Sequence, residues 1–177
     1  GRSVLVVEAG PFVDEATMPR DELDAYGRLY LNHGLLSTWD GAITLLAGSG
    51  VGGGTLVNWM TCLAAPAEVR AEWAGEHGLD GVDGPEWSGD VAAIEEQLGV
   101  LPATVIPPKD ELIRRGAAAL GWDAGLIRRN ATDCGDCGSC PFGCRRGTKQ
   151  SGIRAHLADA AAHGARVLDR ARVRSVI

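Results

Sequence analysis

Three groups of residues in this sequence have the types and spacing to do chemistry. Four thiols stand close together as Cys134-x2-Cys137-x2-Cys140-x3-Cys144. Such a run can converge on a metal or an iron–sulfur cluster, and its spacing equals that of a bacterial ferredoxin. Against that reading, the proline follows the third cysteine, as Pro141, and Arg145 and Arg146 crowd the fourth. A packed thiol-rich loop or a local disulfide therefore outweighs a bound cluster. The second group, Gly48-x-Gly50-x-x-Gly53, matches the dinucleotide fingerprint. A glycine turn ahead of a helix lets backbone amides face a phosphate with no Cβ in the way. A plain flexible turn is the alternative. The third is Glu8, which closes an apolar strand. An acid there accepts hydrogen bonds from ribose hydroxyls, about 20 residues after a glycine fingerprint. That fingerprint is expected upstream of Gly1, and a solvated strand end is the alternative.

The elements that must position these groups can be read from periodicity and punctuation. Ser3 to Val7 reads as a strand, and Tyr26, Leu29, Tyr30 and Leu31 as a short amphipathic stretch. A second apolar run, Ala42 to Leu46, leads into the glycine turn, with a helix expected from Thr55 to Met60. Pro66 suits the first position of a helix reaching about Trp73. Ser88 is placed to cap the helix that carries Val91, Ile94 and Leu98. A helix from about Lys109 to Leu120 should stop at Gly121. Beyond the thiols, Ser151 opens a helix that Gly164 ends, and Ala165 to Leu168 and Ala171 to Ile177 read as strands.

Composition narrows the class. The 177 residues are 45% hydrophobic and carry a formal charge of -6, which suits a globular domain and argues against nucleic acid as a partner. No apolar run approaches the roughly 20 residues that would span a bilayer. The thiols are too tightly spaced for an extracellular disulfide framework, which favours a cytoplasmic setting. Gly1 stands directly before a strand and Arg172 to Ile177 has no following turn, so both ends are expected to be internal to a longer protein. His33, His77, His156 and His163 are scattered, with no acidic or thiol partner at ligand spacing. Asn130-Ala131-Thr132 fits a glycosylation sequon that, alone, carries no weight.

The stretch Leu46-Ala47-Gly48-Ser49-Gly50-Val51-Gly52-Gly53-Gly54-Thr55-Leu56-Val57-Asn58-Trp59 resembles the first signature of the glucose-methanol-choline (GMC) oxidoreductase family. There a glycine pair, two small residues, an aliphatic residue and an Asn lie against a flavin. Val57-Asn58-Trp59, then Pro66-x-x-Val69-Arg70 and Glu72-Trp73, resemble the family's long-chain alcohol oxidases. So does Gly143 to Ser151, where a Cys-rich loop precedes the helix and strand that lead back to the adenine. Ser49 and Cys62 depart from the usual pattern.

The resemblance implies an α/β fold: an incomplete FAD/NAD(P)-binding, Rossmann-like domain with part of a substrate domain inserted. Residues 1–177 would be part of the family's N-terminal, FAD-binding domain, with the Cys-rich loop 134–144 inside it. Glu8, Gly48, Gly52, Gly53, Thr55, Asn58 and Val173 would contact FAD. The implied reaction oxidises a primary, long-chain alcohol to an aldehyde, passing hydride to FAD, which oxygen or another acceptor reoxidises. The family's general base, a His with a second His or Asn, lies nearer the C-terminus of the full protein, so no residue here is catalytic. Two other readings stay open. One is a flavin dehydrogenase with an iron–sulfur cluster on Cys134, Cys137, Cys140 and Cys144, and the other a non-enzymatic ferredoxin-like or zinc-binding module.

Overall fold

A computed structural model describes residues 3–177. The chain divides into two units, one running up to Met60 and resuming with Thr132–Ile177, the other being Thr61–Ala131. Its mixture of helices and strands fits an α/β fold.

In the first unit the apolar opening run forms strand β1, Leu5–Val7. Asp21 then starts helix α1, Glu22–Leu29, by accepting the Asp24 backbone N–H on its carboxylate at 2.9 Å, which satisfies one of the donors every helix start leaves unpaired. Ala25 and Leu29, four residues apart on one face, are buried. A two-residue ladder follows, β2 (Leu36–Ser37) antiparallel to β3 (Thr44–Leu45). The rest of the unit comes from the far end of the chain. A single π turn, Ile153–Leu157, runs into helix α5, Ala158–Ala162, and Gly164 at φ 90° releases the chain into strand β6, Arg166–Leu168. β6 lies parallel to β1, with Leu5, Val6 and Val7 opposite Arg166, Val167 and Leu168.

The core of this unit gathers Val13, Met18, Ala25, Leu29, Tyr30, Leu56 and Val57, with Tyr26, Phe142 and Ile153 packed on it. Tyr26 and Tyr30 meet edge to face at 5.0 Å. The Tyr30 hydroxyl donates to the Pro141 carbonyl at 2.9 Å, so the helix, the glycine signature and the cysteine loop share one core.

The second unit holds helices α2 (Ala67–His77), α3 (Glu86–Gln97) and α4 (Pro108–Ala119) and an antiparallel pair, β4 (Val100–Pro102) with β5 (Arg128–Asn130). Cys62 N–H donates to the Arg128 carbonyl at 2.9 Å, which lays residues 61–62 along β5. The Arg128 guanidinium binds both oxygens of Glu95 at 2.6 and 2.7 Å, and that of Arg70 lies 5.9 Å from the Trp87 ring centroid.

Several sequence expectations change. Thr55 to Met60 is not a helix. A single 3-10 turn, Gly53–Leu56, stands there, because Gly52 and Gly53 enter it at φ 99° and 54° and Met60 leaves at φ 63°, conformations that no α-helix propagates. Pro66 precedes its helix as the cap residue, and that helix runs on to His77. Ser88 lies inside α3, which starts two residues earlier behind Pro85 and has no side-chain cap. Ala171 to Ile177 forms no strand among the described residues, although Ala171 N–H reaches the Glu8 carbonyl at 2.8 Å.

Leu29 is wholly buried whereas Leu23, on the same helix, is 83% exposed. In the full-length protein Leu29→Ala should therefore cost about 2–5 kcal/mol of stability by denaturant titration. Leu23→Ala should stay within about 0.5 kcal/mol. Equal effects would contradict this core.

Candidate functional site

Both strands of the parallel pair end in a carboxylate. Glu8 continues the β1 ladder, its N–H donating to the Leu168 carbonyl at 2.9 Å. Its Oε1 accepts the Gly10 backbone N–H at 2.6 Å, which fixes the side chain over its own turn. The matching acid on β6 is Asp169, whose Oδ2 accepts the Phe12 N–H at 3.0 Å. Arg170 and Ala171 then close back on Gly10 and Glu8 through backbone bonds at 3.0 and 2.8 Å. Asp169 was not singled out from the sequence. The rule that found Glu8, an acid closing an apolar strand, applies to it equally.

The glycine signature packs against this corner by direct backbone contact. A Cβ on Gly10 would stand 2.5 Å from the Gly50 nitrogen, and one on Gly48 the same distance from the Gly53 carbonyl oxygen. Val51 N–H donates to the Pro11 carbonyl at 3.1 Å and Gly53 N–H to the Gly50 carbonyl at 2.8 Å. Two of the amides that could have faced a phosphate are thus satisfied inside the protein. Gly52 packs against the Ile153 and Leu56 side chains. Thr55 links two segments, its hydroxyl donating to the Gly52 carbonyl and accepting the Gly152 N–H at 2.9 Å.

Gly53 and Gly54 differ from these. A Cβ on either would meet nothing within 4 Å, so the signature presents bare backbone to open space at that point. The Asn58 side chain is exposed, with Oδ1 accepting the Met60 N–H at 3.2 Å. Val173 lies outside any strand and is exposed. A mostly apolar cavity of about 420 Å³ adjoins the corner, lined by Phe12, Val51, Ile153, Leu157, Val167 and Asp169 among others.

Beneath the signature lies a residue that the sequence did not single out. Lys149 is 2% exposed. Its ammonium donates to the carbonyls of Leu56 at 2.8 Å, Asn58 at 2.8 Å and Cys140 at 3.0 Å. Burial pushes it below the ordinary lysine range, opposed by the nearby Cys140 and Cys144 thiols.

The four clustered cysteines form no disulfide among the described residues, with Cys137 exposed and Cys134, Cys140 and Cys144 half-buried. Hydrogen bonding from Ser139 holds the Cys137 thiol below its usual range, while burial pushes Cys140 up. For Cys144 burial also acts upward, but bonds from the Thr148 hydroxyl and the Lys149 amide outweigh it and the thiol is lowered. Among the described residues no three of these sulfurs gather within 4.8 Å of one another, whereas the sulfur ligands of one tetrahedral zinc stand about 3.8 Å apart, given a Zn–S bond of about 2.3 Å. Two of the histidines are less isolated than their sequence positions suggest. His77 lies 3.9 Å from Glu72, and His163 3.4 Å from Asp159, all exposed.

Comparisons with known proteins give the family. The family model described as GMC oxidoreductase matches residues 26–177. The long-chain-alcohol oxidase FAO3 of Arabidopsis thaliana is 32% identical over 169 residues, which are 95% of this chain and 23% of that protein. Its relative FAO4B, also from Arabidopsis thaliana, is 33% identical over the same length and shares. An uncharacterized GMC-type oxidoreductase of Mycobacterium tuberculosis is 32% identical over 181 residues, covering all of this chain and 29% of that protein. The chain thus spans roughly a quarter of the length of these relatives.

The backbone contact between Gly10 and Gly50 makes its own prediction. Gly10→Ala should destabilise the full-length protein by about 1–3 kcal/mol, because neither backbone can yield without moving the corner. Gly27→Ala, in α1 with nothing within 4 Å of the new Cβ, should instead stabilise by about 0.5–1 kcal/mol. Thermal denaturation of the two variants checks the pair, and a Gly10→Ala protein as stable as the parent would contradict the contact.

Proposed function

Because the chain belongs to the GMC oxidoreductase family, we propose that it supplies the FAD-holding corner of an enzyme that oxidises a primary, long-chain alcohol to an aldehyde. The substrate class rests on the Arabidopsis relatives, which are long-chain-alcohol oxidases by name. One observation carries the placement of the cofactor: the bare backbone at Gly53 and Gly54. Gly53 is also held at a positive φ of 54°, so Gly54, which has no such backbone requirement, is the position where a close cofactor contact would best account for the missing Cβ.

The residues present fit an FAD molecule. Glu8 would hold the adenosine ribose, since its carboxylate is oriented by the Gly10 N–H at the carboxyl end of a parallel strand, where such ligands sit. Asp169 would share that edge. Gly53, Gly54 and the exposed Asn58 would line the flavin, while Gly48, Gly52 and Thr55 hold the turn that presents them. Val173 would approach the adenine side. FAD held there would supply the two-electron acceptor for hydride from the alcohol carbon, with oxygen or another acceptor as its oxidant. This chain's part is to orient that acceptor by backbone contact and to keep the turn rigid, with acid–base work assigned to residues outside it.

We assign the cysteine loop to packing rather than to a metal. The loop reaches the signature through the Cys140 carbonyl by way of Lys149, and Tyr30 at the end of α1 through the Pro141 carbonyl.

In the full-length enzyme Gly54→Ala should leave thermal stability within about 0.5 kcal/mol, yet lower bound flavin at least tenfold, the loss expected when a new Cβ costs about 1.4 kcal/mol at a ligand contact. Glu8→Ala should also weaken flavin retention on dialysis. Wild-type flavin content in both variants would defeat the placement. A panel of primary alcohols of rising chain length tests the substrate, with aldehyde as product. Turnover confined to sugars or short alcohols would rule out the long-chain reading. Separately, Cys137→Ser with Cys140→Ser should keep flavin, with no iron by elemental analysis in either parent or variant. Stoichiometric iron in the parent, lost together with activity in the variant, would promote the cluster-containing dehydrogenase instead.

A further inference from the structure

Neither the family signature nor the proposed chemistry uses Lys149, although it is the largest of the fully buried side chains. Lysine almost never occupies such a place without a counter-charge. Here three backbone carbonyls meet the three N–H groups of one ammonium at 2.8, 2.8 and 3.0 Å. The partners are not arbitrary. Leu56 ends the 3-10 turn that Gly53 begins, and its carbonyl is among those that a helix end leaves without a backbone donor. Asn58 is the last residue of the signature that would meet the flavin. Cys140 begins the short 3-10 turn of the cysteine loop, Cys140–Phe142.

The surface proposed to face the cofactor therefore rests on its inner side upon one cation, and that cation rests upon the cysteine loop. An ammonium suits this junction for a geometric reason. Its donors diverge from a single atom and can meet three carbonyls from two separate segments, whereas a guanidinium presents its donors in one plane. Removing it would leave three carbonyls, that of Leu56 buried and those of Asn58 and Cys140 partly so, without this donor, each pushed to turn toward others. Two of them belong to the segment whose position within tenths of an ångström decides contact with the flavin.

We propose that Lys149 is a positioning residue for the flavin: it sets the place of Gly53 to Asn58 and couples cofactor binding to the order of the cysteine loop. The proposal rests on the FAD reading above and adds to it a role for a residue distant in sequence from the signature.

The test uses the full-length enzyme, stripped of flavin and titrated with FAD. Lys149→Met keeps the length of the side chain without its donors. It should bind FAD at least tenfold more weakly, and the flavin it does bind should show an altered visible circular dichroism spectrum. Mere loss of stability would lower occupancy and leave that spectrum unchanged. Lys149→Arg, retaining charge but not the three-way geometry, should fall between the two in affinity. Hydrogen exchange of the wild-type protein provides a measurement that needs no variant to fold. On adding FAD, amides in 53–58 and in 140–149 should slow together. Wild-type affinity and spectrum in Lys149→Met, or protection of 53–58 with no change in 140–149, would overturn the proposal. A parent protein that takes up no FAD at all would instead overturn the cofactor reading beneath it.

Discussion

The structure of this corner depends on backbone meeting backbone with no side chain between. Gly10, just past the end of β1, lies against Gly50, and Gly48 lies against Gly53, so closely that a single Cβ at Gly10 or Gly48 would come within 2.5 Å of a main-chain atom. That constraint fixes where the glycine signature sits relative to Glu8. It also explains why glycines recur in the turn for different reasons. Gly10 and Gly48 make room for the protein itself, Gly53 holds a positive φ of 54°, and Gly54 faces open space. Glycine is costly in any folded segment because it loses the most conformational freedom. A turn this rich in it must recover that cost through contacts, and the backbone bonds from Val51 to Pro11 and from Ser49 to Leu29 are such contacts.

Lys149 supports the same turn from beneath. Moving an ammonium into a dry interior is strongly unfavourable unless each of its donors is met. Here all three are met by carbonyls. Burial draws the group below its ordinary range, opposed by the Cys140 and Cys144 thiols. Its value to the fold lies in geometry: one atom holds the end of the 3-10 turn, the Asn58 carbonyl and the cysteine loop in a fixed relation. The loop itself joins the core through the Tyr30 hydroxyl on the Pro141 carbonyl and through Phe142 packing.

What the sequence revealed and what it hid follow the range of the interactions. β1, Glu8, the glycine turn and the stop at Gly121 were legible because each depends on neighbours a few residues away. The parallel pairing of β1 with β6 was consistent with the α/β expectation, but its register depends on residues some 160 positions apart. The β4–β5 pair was missed because Val100-Leu101-Pro102 and Arg128-Arg129-Asn130 show no apolar alternation, and their pairing is made by contact across the second unit. Ser88 was read as a cap because it is a good one in isolation, yet Pro85 starts the helix before it. Lys149 falls within the Gly143 to Ser151 stretch, but its buried role could not have been read. Its partners at Leu56 and Asn58 lie 93 and 91 residues away and are carbonyls, which every residue carries.

Family membership and the oriented carboxylate at the end of β1 are what the proposal that this corner holds FAD rests on. The most direct measurement is a crystal structure of the full-length protein with FAD bound. The account predicts flavin ring atoms within about 4 Å of the Gly53 and Gly54 backbone, and the adenosine ribose hydroxyls on the Glu8 carboxylate. FAD bound with Gly53 and Gly54 still open to solvent, or with the ribose held by another acid, would contradict it.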